Sequence, residues 1–438
     1  MNVIIATLGT LGDLIPYVTL GRALAAHGHA VTILTNDIFR GHVQAHGLGF
    51  HAIACADAFR HAFEHGNVWR LRGGVHHAFE SQNRLAVLPA YHYIRTRAER
   101  GERFVVLATH NAYGARFACE RLDLPLAAMT LSPFWLRTRQ PPIHPLPPHL
   151  PGPLADLCYR FADRFLIDPQ VGTGLNACRR EMGLPPARRF FHDWHACADL
   201  HLGLYPDWFA MLPPGRPSNL RMTGFPLQAP GAMPMHAAAA EFVERHGKPL
   251  VFTTGTGVAD VADFFAASAR LSARLDRPGI FLSRHPVPLP PTASPPLARF
   301  DYVDLAGLLP HAAALIHHGG VGTCAEAIRA GIPQLITPLA HDQPDNARRI
   351  RRLGLGAAIG RRRYLRGDGA RQLASLLASP DVTARLAGYR RRIAEDNGVD
   401  RAVATLEAHW GKSARGRLSP ESPAAATHTT GRSAAGRM

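Results

Sequence analysis

An apolar strand that runs through a glycine-rich turn directly into a helix occupies residues 315–328. Three glycines lie in the turn: Gly319, Gly320 and Gly322. Glycine lets the backbone approach a ligand closely, and the first N–H groups of a helix have no partner within it and carry the positive end of its dipole. The pattern predicts a parallel strand–turn–helix unit whose helix start binds an anion, most simply a diphosphate.

The same turn also fits the G-x-G-x-x-G/A pattern of dinucleotide-binding folds. Residues 320–325 supply it, and Asp342 follows Gly322 by 20 residues, where an acid that binds ribose would fall. Such a pattern usually opens its domain, whereas this turn lies three-quarters of the way along the chain, after His317 and His318, which have no place in the pattern. An NAD-dependent oxidoreductase therefore stays open as an alternative, as does a turn that binds nothing.

A polar cluster at residues 341–346 follows the next apolar strand, which is predicted at residues 334–338. It contains Asp342 and Gln343. Neighbouring parallel strands end at one edge of a sheet, so we expect this cluster beside the glycine-rich turn. It would clamp the hydroxyls of a ligand, unless Asp342 merely caps the helix that follows.

Length and composition set broad limits. A chain of 438 residues suggests two or three domains, and 46% hydrophobic with 19% charged residues is typical of globular proteins. No apolar run reaches 18 residues, so no transmembrane helix is expected. The first residues form a strand pattern without a cationic leader, which predicts a cytoplasmic rather than a secreted protein.

The net charge of +16 does not predict nucleic-acid binding. Lysine occurs only at positions 248 and 412, so 47 of the 49 basic residues (49 − 2) are arginine, and no aromatic-interleaved motif accompanies them. Arginine clusters on helices, including residues 348–352, are interpreted as solvated faces. Six cysteines without C-x-x-C spacing predict reduced thiols and no metal site.

Strand and helix patterns alternate in both halves of the chain. This alternation predicts an α/β protein with two doubly wound, Rossmann-like domains that face each other across a cleft. The predicted units are a first domain at 1–226, a linker at 228–234, a second domain at 235–395, a helix at 396–411 that closes the second domain or packs back on the first, and a disordered tail at 412–438.

A second glycine-rich turn follows the first strand. Gly9 and Gly12 are three residues apart, so the turn lacks the dinucleotide spacing, and Asp13 stands where the loop enters the helix. An aspartate there is either an N-cap residue or a general base that faces the cleft.

Together these motifs resemble those of the nucleotide-sugar-dependent glycosyltransferases with two facing Rossmann domains (GT-B type), over residues 1 to about 410. The resemblance implies that Gly9 and Gly12 form the acceptor-side loop and that Asp13, where many members have histidine, is the catalytic base. The implied donor site has four parts. The diphosphate loop consists of His318, Gly319, Gly320, Gly322 and Thr323, and a second phosphate loop contains Gly255 and Thr256. The sugar hydroxyls are held by Asp342 and Gln343, and the base-stacking position is at Tyr302 and Val303.

Within that family, residues 141–145, 175–180, 222–227 and 340–346 resemble the rhamnosyltransferases of rhamnolipid synthesis. This resemblance implies inverting, metal-independent transfer of rhamnose from dTDP-rhamnose to a hydroxyl of an apolar acceptor such as a hydroxyacyl lipid. A UDP- or dTDP-sugar transferase that acts on a polyketide, sterol or other small natural product is the alternative. A sugar-nucleotide binder without catalysis, or one that needs a partner subunit, also stays open. No cofactor or metal is expected beside the nucleotide-sugar co-substrate, and the oligomeric state is not predicted.

The acceptor pocket is expected to be aromatic. Six aromatic residues of the first domain are its candidates: Phe59, Phe63, Trp69, Phe79, Phe134 and Trp135. Residues 146–167 combine prolines with a short amphipathic segment and are predicted to form a lid or a peripheral membrane contact.

Overall fold

The computed structural model describes residues 1–411 except 64–67, 69–72, 137–142, 144, 148, 192–196, 213–216, 229–234, 259–260 and 290–293. The predicted tail at 412–438, Trp69 and most of the predicted linker at 228–234 lie outside the described residues.

Two all-parallel sheets form the frame, which confirms the predicted fold class. The first has seven strands in the order β3-β2-β1-β4-β5-β6-β7. Its strands are β1 (Asn2–Ala6), β2 (Ala30–Asn36), β3 (Gly49–Ala54), β4 (Phe104–Thr109), β5 (Leu126–Thr130), β6 (Leu200–Gly203) and β7 (Leu220–Met222). The second has six strands in the order β10-β9-β8-β11-β12-β13. These are β8 (Leu250–Thr253), β9 (Gly279–Leu282), β10 (Leu297–Phe300), β11 (Ala314–His317), β12 (Gln334–Ile336) and β13 (Gly356–Ala358).

Helices connect the strands and cover the sheets. In the first half they are α1 (Leu11–Ala26), α2 (Arg40–Ala45), α3 (Ala56–Phe63), α4 (Gly74–Ala78), α5 (Arg84–Glu99), α6 (Tyr113–Leu122), α7 (Gly152–Ala162), α8 (Asp168–Glu181) and α9 (Asp207–Ala210). In the second half they are α10 (Ala237–His246), α11 (Ala262–Leu275), α12 (Leu305–Leu308), α13 (Val321–Ala330), α14 (Gln343–Leu353), α15 (Arg361–Leu365), α16 (Gly369–Leu377), α17 (Pro380–Glu395) and α18 (Gly398–Trp410). Single 3-10 or π turns occupy Asp37–Phe39, Phe79–Asn83, Pro133–Leu136, Asp163–Ile167 and Leu309–His311.

Burial on both faces explains why the central strands are continuously apolar. In β1, Ile4 and Ala6 enter one core, whereas Val3 and Ile5 enter the core on the opposite face. A parallel sheet with helices on both sides has no solvated face, so the side chains on both faces are apolar.

The last helix, α18, packs on the first domain. Its residues Ala402, Val403, Leu406 and Trp410 are buried in the core that also contains residues of α1 and β1. The chain therefore crosses from the second domain back to the first before it reaches residue 411.

Helix α14 joins the two domains through buried charges. The Nε atom of Arg349 lies 2.8 Å from Oδ2 of Asp345, and these side chains are 2% and 0% exposed. Arg349 also donates to the backbone carbonyls of Phe209 and Ala210 in the first half of the chain. The interpretation of residues 348–352 as a solvated face is therefore wrong for Arg349, although Arg351 and Arg352 are exposed.

Differences from the predicted elements have local causes. The sequence pattern predicts a helix from residue 17 to residue 27, but α1 begins at Leu11 and continues through Pro16, although proline lacks the N–H that would bond to the fourth preceding carbonyl. The sequence pattern also predicts a strand at residues 300–303, whereas β10 spans Leu297–Phe300. Strands β3, β7 and β13 were not predicted; β7 and β13 have three residues each at a sheet edge, which give little periodicity. In the described part of the chain, no helix has the length and apolar character required to cross a bilayer.

Candidate active site

The strand order reverses once in each sheet. The reversal falls between β1 and β4 in the first sheet and between β8 and β11 in the second. Loops that leave the carboxyl ends of such strands diverge and create a crevice, which is where open α/β sheets bind ligands. Both predicted glycine-rich turns follow a strand that borders a reversal.

Asp13 lies on the loop after β1, in the first turn of α1. Its Oδ2 atom accepts hydrogen bonds from the backbone N–H (2.7 Å) and the hydroxyl (2.9 Å) of Thr10. Thr10 is the N-cap residue, so the predicted N-cap role of Asp13 is wrong in detail, although its carboxylate does satisfy the N-cap N–H. Both bonds use Oδ2, which leaves Oδ1 for another group, and burial raises the pKa of Asp13 above its ordinary value.

Gly9 keeps room for this carboxylate. A Cβ atom on Gly9 would lie 2.5 Å from Oδ2 of Asp13, and its φ of +133° is a backbone conformation that side chains rarely permit. Gly12 faces the other domain, since its Cβ position lies 3.9 Å from the hydroxyl of Thr256. The predicted acceptor-side loop therefore lies against the predicted second phosphate loop.

The imidazole of His318 lies between the two loops predicted to hold phosphates. Cβ atoms on Gly255 and Gly320 would come within 2.7 Å and 2.6 Å of this ring. Burial lowers the pKa of His318 to about 4, so the ring is neutral at pH 7. Its buried Nδ1 has no hydrogen-bond partner in the described part of the protein, which argues against a histidine satisfied by backbone.

The start of α13 presents the predicted anion site. Gly320 is the N-cap residue, and Gly322 and Thr323 follow in the first turn, Gly322 exposed and Thr323 half-buried. Gly319 has a φ of +97°, and a Cβ there would lie 2.8 Å from Ile336. Glycine at 319 is therefore required by close packing, whereas Gly322 leaves open space before the helix start.

His317 has a different, structural role. It is fully buried, its Nε2 lies 3.0 Å from the amide oxygen of Gln334, and its Nδ1 accepts from the N–H of Gly319. Burial lowers its pKa to about 3. Adjacent histidines thus point to opposite sides of the strand, as expected from the alternation of β side chains.

Asp342 lies at the same cleft as Asp13. It is the N-cap residue of α14, but its side chain makes no capping hydrogen bond and instead accepts from Nδ2 of Asn346 at 2.9 Å. Burial, opposed by Asn346 and reinforced by the charge of Asp13, raises the pKa of Asp342 to about 6. The influence of Asp13 means that carboxylates of the two domains face a common space.

Gln343 holds the loop before α14. Its side-chain oxygen accepts from the backbone N–H groups of Leu339 (2.9 Å) and Ala340 (3.3 Å), and the residue is 4% exposed. A ligand contact from this side chain would therefore come from its amide nitrogen.

Asn346, the last residue of the predicted polar cluster at 341–346, connects three parts of the site. Its Nδ2 donates to the carbonyl of Gly319 (3.0 Å) as well as to Asp342, and its Oδ1 accepts from the hydroxyl of Ser132 (3.0 Å). Asn346 and Ser132 are both 0% exposed. The sequence pattern included Asn346 in the polar cluster, one helical turn after Asp342, but did not predict its contact with Ser132.

The predicted base-stacking position lies beyond β10, at an edge of the second sheet. Tyr302 is 43% exposed, so its ring is accessible, whereas Val303 is 3% exposed and packs in the core. A contact from Val303 would have to use its backbone. Glu326 of α13 also influences the pKa of Tyr302, and burial raises the pKa of Glu326 itself to about 7. No sequence pattern indicated a role in the site for this half-buried carboxylate, which follows His318 by eight residues.

Aromatic side chains meet at the carboxyl edge of the first sheet. Trp135 stacks on His110 with ring centroids 3.6 Å apart and also contacts Phe134 and Phe191. The loop that carries His110 reaches the β1 loop, because Asn111 donates to the carbonyl of Leu8.

The prediction that Phe79 lines the acceptor pocket is wrong, because its side chain is only 1% exposed and packs in a hydrophobic core. Phe59 and Phe63 contact each other on α3, and Phe59 packs on Phe39. Among the described residues, no group of three or more His, Cys, Asp or Glu side chains is arranged to hold a metal ion.

Comparison with known families identifies glycosyltransferase domains in both halves. Residues 3–139 match the glycosyltransferase family 28 N-terminal domain, and residues 290–393 match the erythromycin biosynthesis protein CIII-like C-terminal domain. The O-mycaminosyltylonolide 6-deoxyallosyltransferase of Streptomyces fradiae is 27% identical over 431 residues, which cover 93% of this chain and 97% of the relative.

Solved structures share the fold over nearly the whole chain. The glycotransferase of kitacinnamycin superposes with a TM-score of 0.70 at 20% identity and covers 93% of this chain and 98% of its own. The spinosyn rhamnosyltransferase SpnG, complexed with spinosyn aglycone, has a TM-score of 0.62 at 20% identity and covers 93% of this chain and 100% of its own.

Proposed function

Since the chain is a nucleotide-sugar glycosyltransferase with two facing parallel-sheet domains, we propose that it inverts the anomeric centre of the transferred sugar without a metal ion. The observation that carries this proposal is the approach of the Asp13 loop to the second domain: the charge of Asp13 acts on Asp342, and Gly12 adjoins Thr256 of the loop that packs on His318. The glycosyltransferase matches in both halves leave no support for the NAD-dependent oxidoreductase.

In this proposal the second domain binds the donor. The N–H groups at the start of α13, the imidazole of His318 and the hydroxyl of Thr256 stabilise the diphosphate as it leaves. The unpartnered Nδ1 of His318 supports this role, because a buried donor or acceptor without a partner is costly and a phosphate oxygen would satisfy it. In this proposal Tyr302 and Glu326 also flank the nucleoside, and Glu326, which pairs with Arg329, accepts from ribose hydroxyls; support comes from the influence of Glu326 on the pKa of Tyr302.

Asp13 acts as the base. Oδ2 is held by Thr10, so Oδ1 takes the proton of the acceptor hydroxyl as that oxygen forms its bond to the anomeric carbon and the bond to the diphosphate breaks. An ordinary aspartate is a weak base, and the raised pKa of Asp13 brings it closer to what the reaction needs. Asp342 and Gln343 orient the sugar through its hydroxyls.

The proposed donor is dTDP-rhamnose, from which rhamnose is transferred. Support comes from the resemblance to rhamnosyltransferases of rhamnolipid synthesis and from the fold shared with the spinosyn rhamnosyltransferase. Another dTDP- or UDP-sugar is the alternative.

The proposed acceptor is an apolar molecule with one reactive hydroxyl, either a hydroxyacyl lipid or a polyketide-like natural product. The half-buried rings of Phe134 and Trp135 support this proposal, since they lie on the first sheet near the loop that carries Asp13. A cytoplasmic location is supported by the six cysteines, all of which are free thiols.

The test pairs ligand binding with turnover. We expect dTDP or UDP to raise the melting temperature without added metal, whereas GDP, NAD and NADP do not, because a ligand at about 100 times its Kd adds about 2.7 kcal/mol. Asp13→Asn should bind the nucleotide normally and lose at least about a hundredfold in kcat, which is in the range of general base catalysis. Asp57→Asn, a change of the same kind at a side chain that is 85% exposed, is the control.

Stabilisation by NAD or NADP alone would overturn the transferase proposal. Wild-type turnover by Asp13→Asn would overturn only the assignment of the base. Nucleotide binding by a wild-type protein that transfers no sugar to any acceptor of either class would favour the non-catalytic binder.

A further inference from the structure

The segment from α7 to the following π turn presents an apolar stripe to solvent. Five large apolar side chains form it and are 49–63% exposed: Leu154, Leu157, Phe161, Phe165 and Leu166. Four of them recur every three or four residues, which places them on one side of a helix, while Ala155 and Tyr159 on the other side pack against Ile143. Contiguous exposed apolar surface of this kind marks an interaction site.

The charges beside the stripe are positive. Between Gly152 and Ile167 the exposed charged residues are Arg160 and Arg164, since Asp163 is 1% exposed and Asp156 is partly buried. The guanidinium of Arg164 lies over the ring of Phe165, 5.8 Å from its centroid.

A cavity of about 650 Å³ opens directly beside these arginines. Arg188 and Arg189 line it from the other side, together with Asp163 and Asp168. Arg189 contacts both aspartates, because its backbone N–H donates to Asp168 and its Nε lies 3.8 Å from Oδ2 of Asp163. Among the described residues, Arg160, Arg164 and Arg188 make no ion pair, and the four arginines and two aspartates of the lining give the cavity a net charge of +2.

We propose that this stripe and cavity form a docking site for an anionic phospholipid bilayer. The apolar side chains enter the acyl boundary, and the three arginines bind phosphate headgroups, one of which enters the cavity. The charge pattern favours this occupant, since apolar side chains flanked by exposed arginines and a cavity of net positive charge match the layered chemistry of an anionic leaflet. A second copy of the chain would bring the same cations against themselves. The inference stands on surface residues outside the proposed active site, so it can fail without affecting the proposed transfer reaction.

The experiment measures binding of the full chain to sedimented vesicles of phosphatidylcholine, with and without 30% phosphatidylglycerol. The charge variant is Arg160→Gln/Arg164→Gln, and its control is Arg351→Gln/Arg352→Gln, which removes two exposed arginines from α14 and gives the same net charge. The apolar variant is Phe161→Ser/Phe165→Ser, and its control is Ile38→Ser/Leu85→Ser, at two other exposed apolar positions.

We expect wild type to bind the anionic vesicles and not the neutral ones. The charge variant should bind about 30-fold more weakly, at roughly tenfold per 1.4 kcal/mol with about 1 kcal/mol for each basic residue near the surface. The apolar variant should weaken at least about tenfold, and both controls should bind within about twofold of wild type. Melting temperature and glycosyl transfer to a water-dispersed acceptor should not change in any variant.

Three results would overturn the proposal. The first is no binding of wild type to anionic vesicles. The second is equal loss in the test and control arginine pairs, which would mean attraction by net charge alone. The third is a dimer by light scattering that Phe161→Ser/Phe165→Ser converts to a monomer, which would show that a second copy covers the stripe.

Discussion

The ion pair between Asp345 and Arg349 should be among the most sensitive points of the domain interface. Both side chains are essentially inaccessible, and Arg349 adds hydrogen bonds to the carbonyls of Phe209 and Ala210. Removing one member of a buried pair costs about 3–5 kcal/mol, because it leaves an uncompensated buried charge. In Arg349→Met, Asp345 would still have Arg348 as an ion-pair partner, 2.6 Å away. We therefore expect a cost at the lower end of that range, about 3 kcal/mol.

A double-mutant cycle separates the pair from its surroundings. Asp345→Asn removes the charge that Arg349→Met would leave behind, so the double variant should be less destabilised than the sum of the single variants. We expect a coupling of about 1–3 kcal/mol. Arg351→Met, an exposed arginine on the same helix, should change stability by less than about 0.5 kcal/mol.

Urea unfolding followed by far-UV circular dichroism and tryptophan fluorescence would give these free energies. Trp208 reports on the interface, because it adjoins Phe209 and donates to Asp396. Additive single-variant effects, or a cost below about 1 kcal/mol for Arg349→Met, would refute the reasoning that desolvated charge dominates at this site.

Three further predictions concern the cleft. Gly9→Ala places a Cβ 2.5 Å from Oδ2 of Asp13, so steady-state assays should show kcat reduced at least about tenfold, with unchanged nucleotide affinity by calorimetry. Asn346→Ala removes the hydrogen bond that lowers the pKa of Asp342, so that pKa rises further above about 6 and the acidic limb of the kcat/KM profile moves to higher pH. His318 has a folded pKa of about 4 against about 6.5 unfolded, so its stabilising contribution is present above pH 6.5 and lost as pH falls through 4; melting curves of wild type and His318→Gln should converge over that window.

Each of the three has a result that would contradict it. Gly28 also has a positive φ but has open space around its Cβ position, so Gly28→Ala should leave kcat unchanged; equal losses would point to backbone strain rather than displacement of Asp13. An unshifted acidic limb would mean that Asn346 does not control Asp342. For His318, a difference between the melting curves that is independent of pH would contradict burial of a neutral ring. The comparison of wild type with His318→Gln also separates the effect of His318 from that of Asp342, which both proteins contain. The raised pKa of Asp342 contributes stability below pH 3.8 that is lost as pH rises through 6.

The resemblance and the local patterns predicted much of the local geometry of the proposed donor site. The loop at Gly319 and Gly320, the helix start after it and the strand-end position of His318 depend on residues next to each other in the chain. Glycine conformation and the unpaired N–H groups of a helix start are properties of a few consecutive residues, so a sequence pattern can predict them.

Specific side-chain contacts between the two domains were not predicted. Ser132 and Asn346 are 214 residues apart, and neither residue type signals that they will meet in a dry interface. Arg349 was interpreted as solvated and Phe79 as a pocket residue because composition does not tell which face of a helix another domain will cover.

The sequence by itself determined the two parallel α/β domains and the loops that end their central strands, because strand and helix periodicity and turn glycines are local. Only the tertiary structure decided that Asp13 and Asp342 share one space, that Asn346 ties the diphosphate loop to the first domain, and that an apolar stripe stays uncovered beside three arginines. Burial is set by what packs against a residue, so its energetic consequences appear only when all segments are in place.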